Sequence, residues 1–169
     1  NFHNFGSSYS FISSLKLKNY RNFADYEINF NSVGALISGK NGVGKTNLLE
    51  AIAYFAFGKS FNTNQDEELI NFSKAFFHIS AKFNLKNRVY QFDVGCDKNR
   101  KNIKIDGKNI SKISELYQFL KIIYFSPNDI RIIDGSPSLR RIFINQATAQ
   151  YSFNYLDSLR RYKHILKQR

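Results

Sequence analysis

Residues 39–46 of the chain read GKNGVGKT, and this order of glycines, lysine and threonine fits the spacing G-x-x-x-x-G-K-[ST] of a phosphate-binding loop. Glycines in such a loop let backbone N–H groups approach phosphate oxygens closely. We expect Lys45 to lie along the β- and γ-phosphates of ATP and the Thr46 hydroxyl to coordinate Mg²⁺. The predicted cofactor-binding residues of the loop are Gly39, Lys40, Asn41, Gly42, Val43, Gly44, Lys45, Thr46 and Asn47.

The segments on either side of this loop have the patterns of a strand and of a helix. Residues 33–37, VGALI, form a nearly continuous apolar run, as in a strand buried on both faces. Apolar residues from Leu48 to Ala56 recur at helical spacing, and Gly58 follows where a helix would end. Such a helix would direct its unsatisfied N–H groups at the bound phosphate. The sequence therefore predicts strand, loop and helix in the order that nucleotide binding requires.

The size and charge of the chain indicate a globular protein with an anionic partner. With 169 residues and a mass of 19.7 kDa, it is long enough for about one domain with a real core. The net charge of +12 and the pI near 9.8 favour nucleic acid as a partner, because clustered lysine and arginine gain from counterion release. A generally basic surface that serves solubility is the alternative.

The location of the protein is predicted to be cytoplasmic, with no membrane association. No apolar run approaches the length of a membrane span. A single cysteine, Cys96, cannot form an internal disulfide, which favours a reducing compartment. Because methionine is absent, we do not expect the sequence to begin at an initiator, and residues 1–10 are interpreted as a lead-in.

Alternation of polar and apolar residues predicts an antiparallel sheet around the nucleotide site. Residues 14–18 and 25–30 should form a hairpin, and the segments 77–83, 88–94 and 101–105 should form further half-buried strands. The acids of residues 66–68 predict a short helix that starts there. The same hairpins carry a basic cluster, which we interpret as a DNA contact or as a solvated face: Lys98, Arg100, Lys101, Lys104, Lys108 and Lys112.

The second half of the chain is expected to be mostly helical. Residues 111–120 should form a helix that leads into a second core strand at residues 121–125, KIIYF. Ser126-Pro127 and Ser136-Pro137 each have the pattern of a helix start. Tyr155, Leu159, Tyr162 and Leu166 recur at heptad spacing, as in a coiled-coil seam or an ordinary amphipathic helix. The pattern continues to Arg169, which predicts a chain cut within a helix.

A carboxylate that could hold Mg²⁺ at the end of a second buried strand is missing from the sequence. No run of four apolar residues is followed by Asp-Glu, and residues 89–93 alternate as in a half-exposed strand. Either that strand lies beyond Arg169 or the chain is a binding module only. No catalytic residue is therefore predicted within this chain.

Several segments together resemble the RecF family, bacterial recombination and repair ATPases related to SMC proteins. The P-loop with N-G-x-G-K-T-N is common to SMC-like ATPases, whereas the segment SPSLRRIF singles out RecF. The resemblance rests on residues 15–23 (LKLKNYRNF), 39–52 (GKNGVGKTNLLEAI), 58–61 (GKSF), 68–70 (ELI), 125–130 (FSPNDI) and 135–143 (GSPSLRRIF).

This resemblance implies an α/β fold: a P-loop NTPase of the ABC-ATPase-head type, lobe I, with a mixed core sheet, an added antiparallel β-subdomain and C-terminal helices. Residues 11–150 would form the lobe, and residues 151–169 would begin a helical or coiled-coil domain. The family's Mg²⁺-binding Asp-Glu strand and its signature motif belong to the other half of the protein. The intact protein would then be a slow DNA-dependent ATPase, and this chain alone would be inactive.

The resemblance further implies an ATP-dependent homodimer that binds double-stranded DNA and double/single-strand junctions. It would load recombinase at gaps together with RecO and RecR. Tyr20, Arg21, Asn22 and Phe23 would lie near the adenine or the phosphates, and residues 126–129 near the loop that senses the γ-phosphate. The DNA-binding candidates are Lys59, Arg100, Lys101, Lys104, Arg140 and Arg141, of which the last two could equally form an ordinary helix surface.

Three alternatives stay open at this stage. One is another SMC-like ATPase outside the RecF pathway. The second is a nucleotide-gated DNA-binding scaffold without significant hydrolysis. The third, a P-loop kinase of small molecules, would need a substrate pocket and a lid that no segment suggests.

Overall fold

A computed structural model describes residues 10–126, 129 and 131–168 of the chain. The chain divides into two compact units, with the boundary between Ser111 and Lys112. The first contains a sheet, a helix and the phosphate-binding loop, and the second is helical.

The first unit is built on a six-stranded antiparallel sheet. The hairpin predicted at residues 14–18 and 25–30 is confirmed, with Leu15 opposite Ile28 and Leu17 opposite Tyr26. The strands predicted near residues 77–83, 88–94 and 101–105 are also confirmed. The strands are β1 Phe11–Tyr20, β2 Phe23–Asn29, β3 Phe76–Leu85, β4 Arg88–Asp97, β5 Lys101–Ile105 and β6 Lys108–Asn109. Their order in the sheet is β2-β1-β3-β4-β5-β6.

One face of this sheet forms the core together with helix α1, Lys45–Phe57. Alternate strand residues such as Leu17 and Ile79 are fully buried, as the period of two requires. From the helix, Phe55 meets Phe83 and Phe92 edge to face, with ring centroids 5.7 and 6.1 Å apart. Because the helix directly follows the phosphate-binding loop, this core fixes the position of the loop against the sheet.

The predicted buried strand at residues 33–37 is wrong for this chain. The segment pairs with none of the described strands, and Val33 and Leu36 are each 94% exposed. A central strand needs neighbours on both edges to satisfy its backbone groups. All of the described strands belong to the antiparallel sheet, so the apolar segment lacks such neighbours here.

Two features between α1 and β3 also contribute to the position of the site: a short helix and the glycine that ends α1. The short helix predicted at residues 66–68 is confirmed as a 3₁₀ helix, Asp66–Leu69. Gly58 ends α1 in the left-handed conformation, as predicted, and its N–H donates to the Tyr54 carbonyl oxygen. The segment that links α1 to the 3₁₀ helix therefore starts from a helix end that is fixed by a hydrogen bond.

The second unit contains helices α2 Ile113–Phe119, α3 Arg131–Asp134, α4 Pro137–Tyr151 and α5 Phe153–Lys167. The helix predicted at residues 111–120 is confirmed, and so is the helix that starts after Ser136 with proline in its first turn. Of the other predicted start, Ser126 is described, whereas residues 127 and 128 lie outside the described residues.

The second core strand predicted at residues 121–125 is also wrong for this chain. Ile123 and Phe125 are 92% and 76% exposed, and the segment is in no strand. The Gln150 side chain takes the place of a strand neighbour at one residue. Its Oε1 accepts from the Ile122 N–H at 2.9 Å, and its Nε2 donates to the Ile122 carbonyl oxygen at 3.2 Å. One side-chain amide satisfies one residue but cannot continue a ladder.

The terminal helix predicted from the heptad spacing is present as α5. On the predicted seam, Tyr162 is 60% and Leu166 is 50% exposed. Among the described residues, no helix is long and apolar enough to cross a membrane.

Candidate nucleotide-binding site

The phosphate-binding loop meets α1 at a glycine in the left-handed conformation. Gly44 has φ of 103° and precedes Lys45, the first residue of the helix, and no side chain caps this helix end. A left-handed residue at this point is unfavourable for any side chain larger than hydrogen. The N–H groups of the first helical turn are therefore available to an anion, as the sequence predicted.

The Lys45 side chain folds back over the loop. Its Nζ donates to the carbonyl oxygens of Gly39 and Lys40, each at 2.7 Å. The next residue, Thr46, is exposed at the start of the helix. An ammonium held at the loop and a neighbouring exposed hydroxyl are the two groups that a Mg²⁺–triphosphate complex needs on this side.

The turn between β1 and β2 braces the loop from the side. Asn22 Nδ2 donates to the Val43 carbonyl oxygen at 3.0 Å, and Asn22 Oδ1 accepts from Asn47 Nδ2 at 2.9 Å. A methyl group added at Gly44 would lie 2.7 Å from the Asn22 side chain and 2.8 Å from the Phe23 ring. The turn and the loop are thus in direct contact, with no room for a side chain between them.

Arg21, in the same turn, is directed at a carboxylate on α1. Its Nε and Nη2 donate to the two oxygens of Glu50, at 3.0 and 2.9 Å, and its Nη1 donates to the Glu68 carbonyl oxygen at 3.2 Å. All three guanidinium nitrogens therefore have acceptors on the protein itself. The structure places Arg21 beside the nucleotide loop with its charge balanced by Glu50.

Glu50 is fully buried and accepts hydrogen bonds from three residues. Besides Arg21, Tyr20 Oη donates to it at 3.1 Å and the Ser60 hydroxyl donates to Oε1. Burial by itself raises the pKa of a carboxyl group, but the hydrogen bonds from Arg21 and Ser60 and the Arg21 charge outweigh it. The pKa of Glu50 is consequently held below its usual range, and the group is ionised at neutral pH.

The same network continues into residues 60–71. Arg21 has φ of 51°, and its N–H donates to the Leu69 carbonyl oxygen at 2.7 Å. Asn71 Nδ2 donates to the Arg21 carbonyl oxygen at 2.6 Å, while the N–H groups of Asn62 and Thr63 donate to the Ser60 hydroxyl. These bonds hold Arg21 in a conformation that a non-glycine residue rarely adopts.

The structure thus brings together two of the predicted groups, residues 20–23 and residues 39–47. Glu50 joins these groups although no sequence motif points to a role for it. One feature of the sequence could have identified Glu50. It is an acidic residue within the apolar stretch 48–52, at a helical position that faces the core.

The six DNA-binding candidates differ in how far their charges are used within the protein. Lys101 Nζ donates to the Gly58 carbonyl oxygen and, at 2.8 Å, to Asp66, and it lies 4.7 Å from the Tyr54 ring centroid. Arg140 Nη1 donates to the carbonyl oxygens of Ile133 and Gly135, at 3.1 and 3.3 Å. Both cations are therefore used within the fold. The other candidates are more open: Lys59, Arg100 and Arg141 are exposed, and Lys104 is half-buried.

Within residues 10–126, 129 and 131–168, no group of three or more His, Cys, Asp or Glu side chains could hold a metal ion. Ser126 and Asp129, from the predicted γ-phosphate sensor segment, are joined by a hydrogen bond from the Ser126 hydroxyl to Asp129 at 2.9 Å. Thr46 remains the candidate metal ligand on this chain.

The phosphate-binding loop leads into α1, and α1 packs against the antiparallel sheet. This arrangement is that of a P-loop ATPase domain of the ABC-head type. Residues 14–167 match the family AAA_23, described as an AAA domain, and the chain belongs to this family. Over 158 residues it is 37% identical to the DNA replication and repair protein RecF of Clostridioides difficile, which covers 94% of this chain and 43% of that protein. The resemblance to RecF is confirmed.

Solved structures give the same result for the fold. A structure of the recombination mediator protein RecF with ATP, from the RecFOR pathway, has a TM-score of 0.86 at 30% identity and covers 98% of this chain and 45% of its own. A structure of an SMC ATPase has a TM-score of 0.65 at 21% identity, which shows the fold alone; it covers 80% of this chain and 98% of its own. The chain spans less than half of the RecF proteins that it matches.

Proposed function

We propose that this chain is the ATP-binding part of a RecF-like DNA repair and recombination ATPase. The observation that carries the proposal is the phosphate-binding loop, with Lys45 held over it and the uncapped start of α1 beside it. The brace from Asn22 to Val43 gives this loop a fixed shape before nucleotide binds. Similarity to a RecF protein solved with ATP supports the same ligand.

Mg²⁺ would enter with the nucleotide. Thr46 is exposed next to Lys45, and a threonine hydroxyl is a suitable oxygen ligand for this hard cation. One ligand does not make a metal site, so the phosphates and further protein groups must supply the others. We propose that an Asp-Glu pair and a signature motif from elsewhere in the protein, the motif from a second subunit, complete hydrolysis in an ATP-dependent homodimer.

The exposed apolar segment at residues 33–37 fits the same proposal. Val33 and Leu36 are almost fully exposed, which is unfavourable for a permanent surface in water. Strands from the rest of the protein would cover this segment and satisfy its backbone groups. The strand predicted from the sequence would then form in the whole protein although it is absent from this chain.

DNA is the proposed macromolecular partner. The net charge of +12 supports binding to a phosphate backbone. Following the resemblance to the RecF family, we propose double-stranded DNA and double/single-strand junctions as the targets, and RecO and RecR as protein partners in recombinase loading in the cytoplasm. Exposed Arg100 and Lys59 are better candidates for backbone contacts than Lys101, whose ammonium is occupied.

The first experiment is ATP binding by Lys45→Ala in the natural protein that contains this chain. We expect binding to be lost, because the ammonium that compensates the β- and γ-phosphate charge is removed. Lys82→Ala removes an exposed lysine from β3 and serves as a matched control with unchanged affinity. If Lys45→Ala binds ATP as tightly as wild type, the proposal is refuted.

A nucleotide-gated DNA-binding scaffold without hydrolysis is the second candidate. The contacts of Lys45 with the loop fit this candidate as well, because a loop that holds a triphosphate can act as a switch with or without hydrolysis. In that case ATP would alter DNA affinity without turnover. Measurement of phosphate release alongside ATP-dependent DNA binding separates the two candidates.

A further inference from the structure

We propose that Glu50 is the positioning residue of the nucleotide site: its carboxylate holds Arg21 so that Asn22 grips the phosphate-binding loop. This inference rests on the proposed function, since it assigns a role to a residue behind the same site. Glu50 itself is 0% exposed and would not touch the nucleotide.

Burial of the Glu50 carboxylate is unfavourable for the fold by itself. An ionised carboxyl group inside a protein loses several kcal/mol of hydration, and its ion pair often stabilises no more than an apolar side chain of the same size. Position 50 lies on the core face of α1, where an apolar side chain would be usual. A carboxylate with donors from Tyr20, Arg21 and Ser60 indicates that the orientation of those donors is what matters.

Glu50 fixes the orientation of the Arg21 side chain. The carboxylate binds the guanidinium through two separate hydrogen bonds, a geometry that fixes both position and orientation. Arg21 at φ of 51° forms a tight turn, and the next residue is Asn22. With Arg21 fixed behind the turn, the Asn22 side chain can reach the Val43 carbonyl oxygen.

The two helix residues that hold the turn, Asn47 and Glu50, both lie on α1. Asn22 contacts Asn47 in the first turn of the helix, and Glu50 follows three residues later. The turn between β1 and β2 is therefore attached to α1 at two points, and it lies so close to Gly44 that an added methyl group would be 2.7 Å from the Asn22 side chain. An angular displacement of the turn would break the brace on Val43.

A double-mutant cycle tests whether Glu50 acts through Asn22. In the natural protein that contains this chain, Glu50→Gln should weaken ATP binding by about tenfold, within the range for residues that share one network. Asn22→Ala should weaken it by a similar factor. The double variant should bind no more weakly than the weaker single variant, because the second change acts on a connection that is already broken.

A purely structural role gives a different result. Glu50→Gln would then lower the midpoint of thermal unfolding while ATP affinity stayed at the wild-type value, or the two losses of affinity would multiply. Either outcome overturns the inference. Glu27→Gln is the matched control, since it removes a carboxylate that is paired with Lys16 at 2.9 Å on the exposed side of the sheet. Its ATP affinity should equal that of wild type.

Arg21→Lys provides a second variant if Glu50→Gln does not fold. It keeps the charge opposite Glu50 and removes the two-pronged grip. We expect a loss of ATP affinity of about threefold to tenfold that is again not additive with Asn22→Ala. An additive loss, or no loss, overturns the inference. Absence of ATP binding by the wild-type protein would refute the proposed function together with the inference, whereas these variant results refute the inference alone.

Discussion

Asn22 donates from its side-chain nitrogen to the backbone carbonyl oxygen of Val43 at 3.0 Å, and this bond attaches a sheet hairpin to the phosphate-binding loop. The hairpin is part of the antiparallel sheet, and the loop leads directly into α1. A nucleotide that binds the loop therefore contacts a structure that is fixed from two sides. The hairpin contributes shape to the site and Lys45 contributes charge.

The fit between this hairpin and the loop predicts unequal effects of two glycine substitutions. Gly44→Ala would place a methyl group 2.7 Å from Asn22 and 2.8 Å from Phe23, whereas Gly42→Ala would meet nothing within 4 Å. Both positions have positive φ, which costs each alanine about 1–2 kcal/mol. Overlap adds about 1–3 kcal/mol at Gly44 alone. Unfolding in urea should show the larger loss of stability for Gly44→Ala, and equal losses would contradict the packing described here.

Ionisation of Glu50 predicts a pH-dependent difference between wild type and Glu50→Gln. Its pKa is lower in the folded chain than in the unfolded chain, so the carboxylate stabilises the fold above the unfolded pKa of about 4.3. This contribution is lost as the pH falls through the lowered pKa. We expect wild type to be more stable by about 2–3 kcal/mol at pH 7, since Arg21 is only partly buried.

Denaturant unfolding of both proteins from pH 7 down to pH 3 measures this difference. The two free energies of unfolding should converge as the pH falls below about 4. Glu27→Gln, which alters an exposed carboxylate, should show little change over the same range. A constant gap between wild type and Glu50→Gln would mean that Glu50 does not contribute through its charge.

The local patterns of the sequence predicted the antiparallel sheet and the helices well. Alternation in segments such as residues 77–83 identified strands whose partners lie within the chain. The phosphate-binding loop was recognisable because its function requires particular residue types at fixed spacing. These features depend on short stretches and on neighbours that the chain itself supplies.

The two predicted core strands and the role of Glu50 could not be obtained in the same way. Residues 33–37 and 121–125 have the composition of buried strands, but a strand forms only where other strands pair with it. Glu50 binds Arg21 across 29 positions of sequence, and no local pattern specifies such a pair. Likewise, the sequence could not distinguish Lys101, whose ammonium is paired with Asp66, from Arg100, which is exposed.

The contrast between these two neighbouring cations gives a further prediction. Lys101→Ala removes bonds to Gly58 and Asp66 and a contact with the Tyr54 ring, and should destabilise the protein by about 1.5–3 kcal/mol. Arg100→Ala should change stability by less than about 0.5 kcal/mol. On DNA, the order should reverse. If Arg100 contacts a phosphate, its loss reduces the slope of log affinity against log salt by about 1, whereas Lys101→Ala leaves the slope unchanged.

The measurements are thermal or urea unfolding for stability and fluorescence anisotropy of labelled double-stranded DNA over a salt series. Equal stability of Lys101→Ala and wild type would show that the Lys101 contacts contribute nothing to the fold. An unchanged salt slope for Arg100→Ala would remove it from the DNA surface.

Arg140 and Arg141 provide the same comparison on one helix. Arg140 Nη1 donates to the carbonyl oxygens of Ile133 and Gly135, where the short helix α3 ends. It therefore satisfies backbone acceptors that are left open at this helix end. Arg140→Ala should therefore lower stability by about 1 kcal/mol, whereas exposed Arg141 should tolerate alanine. Arg140→Lys restores the charge but not the forked geometry and should recover only part of the loss. Unfolding midpoints of the three variants decide the assignment, and an equal effect at Arg141 would show that helix propensity, and not the carbonyl contacts, is responsible.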